Sequence, residues 1–211
     1  MYNELEKFLS SERLKGYLDK TKTKSEAIDL YEKNIFLSSK LYFLLNFFEI
    51  FLRNYCNEKL KKELGSDWYM KTDILLGDNK EKGQWAIDQI KLTKEKIEKN
   101  KKEKRIVDYP ILLDDIVSNL ELGFWTNLFI ANYNNTIWKP YLRFIFKDFE
   151  RKKLFKILDD IRKLRNRIFH FEPIVFDTKL KEKYSNIKYI IEYISNKKIS
   201  AYIEEIAMRN F

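Results

Sequence analysis

The chain has 211 residues, enough for one sizeable core, and 45% of them are hydrophobic, a globular rather than a disordered composition. Only 5 Gly and 3 Pro stand against 16 Phe, 13 Tyr and 4 Trp, so the many tight turns of a sheet protein are not provided for and long helices are expected. The formal charge of +9 favours polyanionic partners, although an AT-rich genome yields the same lysine, isoleucine and asparagine bias, and the single cysteine, Cys56, excludes an intrachain disulfide.

Residues 1–20 read as a short helix that Ser10 or Ser11 can cap, with Leu14, Tyr17 and Leu18 on one side. Thr23 and Glu26 have the spacing of a capping box. A helical pattern then runs from about Glu26 to Leu64, through Leu30, Asn34, Leu37, Leu41, Leu44, Leu45, Phe48, Leu52 and Cys56, until Gly65 stops it. Cys56 falls within that stripe and reads as a small core residue before a nucleophile. The most apolar stretch, 41–52, contains Glu49 and is too short to be expected to span a bilayer. Residues 1–10 lack the charged-then-apolar order of a signal peptide, so a reducing cytoplasm is the expected location. Trp68 anchors a turn, and the polar run 71–83 reads as a surface loop.

Helical signal resumes near Trp85 and becomes merely charged over 91–105, with eight basic and three acidic residues. That run is either a solvated helix end or an RNA-facing surface. The solvated face is favoured because no aromatic interleaves the lysines. Pro110 opens a new element with Leu112, Leu113, Ile116 and Leu120 at helical spacing. The apolar segment 120–129 carries Gly123, 132–136 reads as a turn, and another helix is expected to start around Trp138 to Pro140. A pattern from about Phe149 to Phe169 buries Leu154, Ile157, Leu158, Ile161, Leu164 and Ile168, and Pro173 ends it. A last helix is expected over about 186–208. The reading is all-α, a helical bundle of one domain, with an N-terminal helical region about 1–70 and a second helical core about 85–208.

His170 is the only histidine. With one cysteine beside it, a Cys/His zinc site lacks ligands. Neither a GxxxxGK nor a GxGxxG loop occurs, so no cofactor is expected. On a helix Asn166 and His170 share a face, and Arg165 lies about 140° round the axis from His170, beside the core stripe of Leu164 and Ile168. Those residue types suit cleavage of RNA, which carries its own nucleophile, the 2′-hydroxyl. Histidine titrates near neutral pH and moves protons. Arginine offers phosphate a planar fork of donors. Asn166 can orient the imidazole or donate to phosphate. Two proton-transfer groups are needed and one chain has one histidine, which points to a homodimer with a composite site. Residues 139–170 hold eleven Lys and Arg against four Asp and Glu, which makes Arg162, Lys163 and Arg167 candidates for RNA-backbone binding. Phe171 is a candidate to stack on a base. The bland alternative is a histidine stabilised at a helix C-terminus among surface ion pairs, with both flanking phenylalanines in the core.

The segment LRNRIFHFEPI at 164–174 contains the pattern R-N-x-x-x-H and resembles the HEPN superfamily. Together with SERLKGYL at 11–18, AIDLYEKN at 27–34, LLNFFEIFLRN at 44–54 and ELGFWTNLF at 121–129, it looks like the Abi-like (abortive infection) branch of bacterial proteins. The matches fall in order from about residue 10 to 175. The resemblance implies a HEPN-like helical bundle with additional N-terminal helices, dimerisation, and metal-independent endoribonuclease activity in phage defence or as a toxin. It implies Arg165 and His170 as catalytic residues with Asn166 in support, and Glu49, Arg53 and Asn54 as a second matched group, architectural first. A cognate small RNA or antitoxin is an implied partner. Many relatives carry a second histidine where this chain has Phe171, which leaves a non-catalytic RNA-binding protein as the alternative.

Overall fold

A computed structural model describes residues 1–104 and 110–209; among them every regular element is helical and no strand is present. The α-helices are α1 (Tyr2–Leu9), α2 (Ser11–Leu18), α3 (Lys24–Leu64), α4 (Thr72–Leu76), α5 (Lys80–Glu103), α6 (Leu113–Asn119), α7 (Leu122–Asn127), α8 (Arg151–Phe169), α9 (Leu180–Ile194) and α10 (Lys197–Arg209). The chain forms two compact units, one of residues 1–48 with 163–211 and one of residues 49–162. The first unit combines the two ends of the chain and the second is its middle.

In the first unit α1, α2 and the start of α3 close a small core of Tyr2, Leu14, Tyr17, Ala27 and Ile28, with Val175 and Phe176 packed against it. The Tyr17 ring meets Tyr31 edge-on at 5.3 Å. The single helix expected over 1–20 is two helices. Ser10 breaks it at φ 72, and its hydroxyl then accepts from Arg13 N at 3.4 Å to cap α2. The expected capping box opens α3: Glu26 N donates to Thr23 Oγ1 at 3.2 Å, and Thr23 N donates to Glu26 Oε2 at 3.1 Å. The last helix is also split, into α9 and α10, because Asn196 Oδ1 accepts from Ile199 N at 3.0 Å and starts a new N-terminus.

In the second unit the core is aromatic. Trp68, Trp125, Phe129, Tyr133 and Phe146 are fully buried, and Trp68 Nε1 donates to Asn57 Oδ1 at 3.0 Å. Cys56 is buried in it, and burial pushes its thiol far above the ordinary range, so it is core and not a nucleophile. The polar run 71–83 is not a loop: it holds α4 and the first turn of α5. Asn132 organises that corner, its Nδ2 donating to the Leu76 carbonyl at 3.0 Å and its Oδ1 accepting from Asn79 N at 2.7 Å. The helix expected near Trp138 to Pro140 is instead a π-type turn, Asn134–Trp138, followed by a 3-10 turn, Leu142–Phe144. The charged run beginning at Lys91 is helical through Glu103, while Arg105 lies outside the described residues.

Helix α3 is unbroken for 41 residues. It contains a stretch long and apolar enough to cross a membrane by length and composition, longer than the 12 residues of 41–52. Its stripe of Leu41, Leu44, Leu45, Phe48, Leu52, Cys56 and Leu60 is buried, as in a core helix, whereas Ile35, Phe36 and Tyr42 are exposed.

Candidate functional site

The site residues expected at the end of α8 are in the first unit, apart from Arg162. Leu164 and Ile168 are buried, Arg165 and Asn166 are half-buried, and His170 is exposed. The polar residues therefore run from the edge of the core stripe out to solvent, as the helical periodicity requires.

The helix ends in a Schellman motif. The Phe171 N–H bonds to the Ile168 carbonyl at 3.1 Å, and the Glu172 N–H bonds to the Arg167 carbonyl at 2.8 Å. His170 is the last residue before the reversal, its own N–H still bonded to the Asn166 carbonyl at 2.9 Å. The reversal needs a left-handed residue, normally glycine or asparagine, and here Phe171 supplies it at φ 57. Its ring is 75% exposed, so little burial compensates the backbone strain. Such strain concentrates where function holds a residue in place. Phe171→Gly is expected to raise unfolding free energy by about 1 kcal/mol, seen as a higher urea midpoint at unchanged slope.

Side chains clamp the turn. Arg13 Nη1 donates to the Phe171 carbonyl at 3.1 Å. Asn34, buried on α3, accepts from the N–H groups of Ile174 at 2.7 Å and Val175 at 3.1 Å. Arg167 pairs with Glu172 at 3.5 Å and with Asp177 at 3.3 Å, and it donates to the Pro173 carbonyl. Burial pushes the Asp177 carboxyl up. The hydrogen bonds from Lys183 and the Lys179 N–H, with the charges of Lys183 and Arg167, outweigh that and hold it below its ordinary range. Arg167 is thus engaged in fixing the chain after the helix. Arg162, in the second unit, forks onto Asp159 Oδ1 at 3.2 and 2.6 Å. Lys163 is exposed.

Arg165 lies over the Phe169 ring, with its guanidinium carbon 4.0 Å from the centroid. The Phe169 ring packs in turn on Tyr42 of α3 at 5.0 Å and 31°. The guanidinium, Phe169 and Tyr42 are linked ring to ring, an arrangement that orients a planar cation. Arg165 Nη1 also donates to Asn166 Oδ1 at 3.4 Å. Asn166 therefore steadies the arginine in this chain, where an imidazole-orienting contact had been one of two options.

Glu49, Arg53 and Asn54 are in the second unit and serve a helix corner. Glu49 Oε1 accepts from the Leu122 N–H at 3.2 Å, placing a carboxylate at the N-terminus of α7. Arg53 Nη1 donates to the Ser118 carbonyl at 3.1 Å, near the C-terminus of α6, and Arg53 Nε donates to Asn54 Oδ1 at 3.4 Å. Architecture accounts for both charged side chains.

Three contributors were missed by sequence reasoning: Arg13, Asn34 and Tyr42. Asn34 gave a signal, since it is a polar residue inside an apolar stripe and such a residue needs a buried partner. Arg13 and Tyr42 gave none, because their partners are more than a hundred residues away in the chain. Among the described residues no three His, Cys, Asp or Glu side chains gather as a metal-ligand set. Comparison of the chain with family models, with curated proteins and with solved structures found no match.

Proposed function

We propose that the chain is a metal-independent endoribonuclease of HEPN-like, Abi-like type, acting in the cytoplasm as a homodimer in abortive infection or as a toxin. The observation that carries this reading is the end of α8. There an exposed histidine, the only one in the chain, follows a half-buried arginine that is held by a ring stack and an amide. In the proposed reaction the RNA 2′-oxygen attacks the adjacent phosphorus and the bond to the 5′-oxygen breaks, leaving a 2′,3′-cyclic phosphate. The 2′-hydroxyl proton goes to one base, and the departing 5′-oxygen takes a proton from one acid. His170 from each of two copies supplies the pair, and Arg165 neutralises the charge that builds on the phosphate oxygens.

Phe171 favours a second reading, a non-catalytic RNA-binding protein with a cognate small RNA, because it stands beside His170 where relatives of the resembled family place another imidazole. Incubation of purified protein with RNA in EDTA separates the two. Cleavage with cyclic-phosphate ends supports the nuclease, and tightly bound RNA recovered intact supports the binder.

A further inference from the structure

An open groove of about 730 Å³ lies in the first unit, beside the end of α8. Tyr31, Ile35, Tyr42, Phe43 and Phe171 give it an apolar, aromatic lining, with Ser38 and Ser39 as polar points. Among the described residues Arg13 is its one charged lining residue, and no carboxylate lines it. Two of the rings are open to solvent, Tyr42 at 48% and Phe171 at 75% exposure.

Two lining residues, Tyr42 and Phe171, link the groove to the candidate site. Tyr42 is the last layer of the stack that begins at Arg165. Phe171 follows His170 directly, so their Cα atoms are about 3.8 Å apart. A phosphate held by Arg165 and His170 thus has an aromatic-lined opening within the reach of one nucleotide. Phe171 is kept at the opening by a strained left-handed backbone whose carbonyl Arg13 ties down. A bare apolar docking face for another protein requires neither this strain nor a cationic rim.

We propose that this groove takes an unpaired nucleobase of single-stranded RNA, stacked against Tyr42 and Phe171, with Arg13 on the phosphate side. The proposal rests on the ribonuclease reading for the identity of the polymer and adds the substrate class. A base must leave its helix to enter, so single strands and loops bind and an uninterrupted duplex does not.

The test is binding by the full chain of a short fluorescent 2′-O-methyl oligonucleotide, which lacks the nucleophile and stays intact. Tyr42→Ala removes the stacking face. Ile35→Glu places a carboxylate at a half-exposed lining position and keeps a good helix former there. Both are expected to weaken binding at least about 5-fold, the lower end of what stacking one base supplies. Tyr202→Ala, similarly exposed but outside the groove, is expected to leave it unchanged. An abasic residue at one position of the oligonucleotide should cost wild type the same factor and cost Tyr42→Ala nothing further. Unchanged affinity in both groove variants overturns the proposal. So does a pair of variants that lose self-association but retain RNA affinity, because the groove is then filled by a second copy. Wild type that binds as described but cuts no cleavable RNA sinks the nuclease reading and leaves the groove assignment standing. Wild type that cuts RNA with both groove variants binding normally does the reverse.

Discussion

His170→Ala is expected to lower RNA cleavage by about 100-fold to 10,000-fold, the range a positioned acid or base contributes. The fold is expected to survive intact. The side chain is exposed, and the Schellman turn beside it is built from backbone groups and from Arg13, Asn34 and Arg167. A surface substitution of this kind moves stability by no more than about 0.5 kcal/mol. The pairing of a large activity loss with an unchanged melt distinguishes a chemical role from a structural one. The measurement is a single-turnover cleavage rate beside a thermal melt of the same preparation. Cleavage by the variant at the wild-type rate would contradict the assignment. So would a loss of activity that simply tracks a loss of folded protein, because His170 would then be acting through stability.

The largest stability effect is expected at Gly83 in the second unit. Glycine inside a helix normally costs about 1 kcal/mol relative to alanine, so Gly83→Ala would be stabilising on propensity alone. Packing reverses the sign. A Cβ at Gly83 would lie 1.9 Å from the Leu76 carbonyl oxygen and 2.2 Å from its carbon, both backbone atoms that have no rotamer to change. The same carbonyl accepts the hydrogen bond from Asn132 Nδ2, so moving it strips a buried amide of its partner. Overpacking costs about 1–3 kcal/mol and an unsatisfied buried group about 1–3 more, and together they exceed the propensity gain. Gly83→Ala is therefore expected to destabilise the chain by about 3 kcal/mol, read as a lower urea midpoint. A variant as stable as wild type would show that α4 and α5 separate freely.

Periodicity made the long helices legible. The stripe of Leu154, Leu158, Ile161, Leu164 and Ile168 is buried, and Gly65, at φ 91, ends α3 where the sequence places its stop. Breaks were legible only where they used ordinary punctuation. Ser10 was legible as a cap, but it and Phe171 hold positive φ without being glycine, so neither the separate helix α1 nor the form of the α8 terminus shows in a propensity reading. Gly83 misled in the opposite direction. Its glycine and polar neighbours have loop composition, but the glycine sits in a helix because a neighbouring backbone leaves no room for a side chain. At the site, the sequence put Arg165, Asn166 and His170 on adjoining faces of one helix. It could not show the stack through Phe169 to Tyr42 or the clamp by Arg13 and Asn34, since both depend on tertiary contacts.

The central claim is that Arg165 and His170 direct an RNA's own 2′-hydroxyl against its phosphate. The most direct test is cleavage, in EDTA, of one single-stranded oligonucleotide in two forms, all-ribose and 2′-deoxy at the mapped scissile nucleotide. The all-ribose strand is expected to be cut to a 2′,3′-cyclic phosphate end, and the 2′-deoxy strand is expected to stay uncut at that position. Equal cutting of both strands, or cutting that leaves a 5′-phosphate, would contradict it.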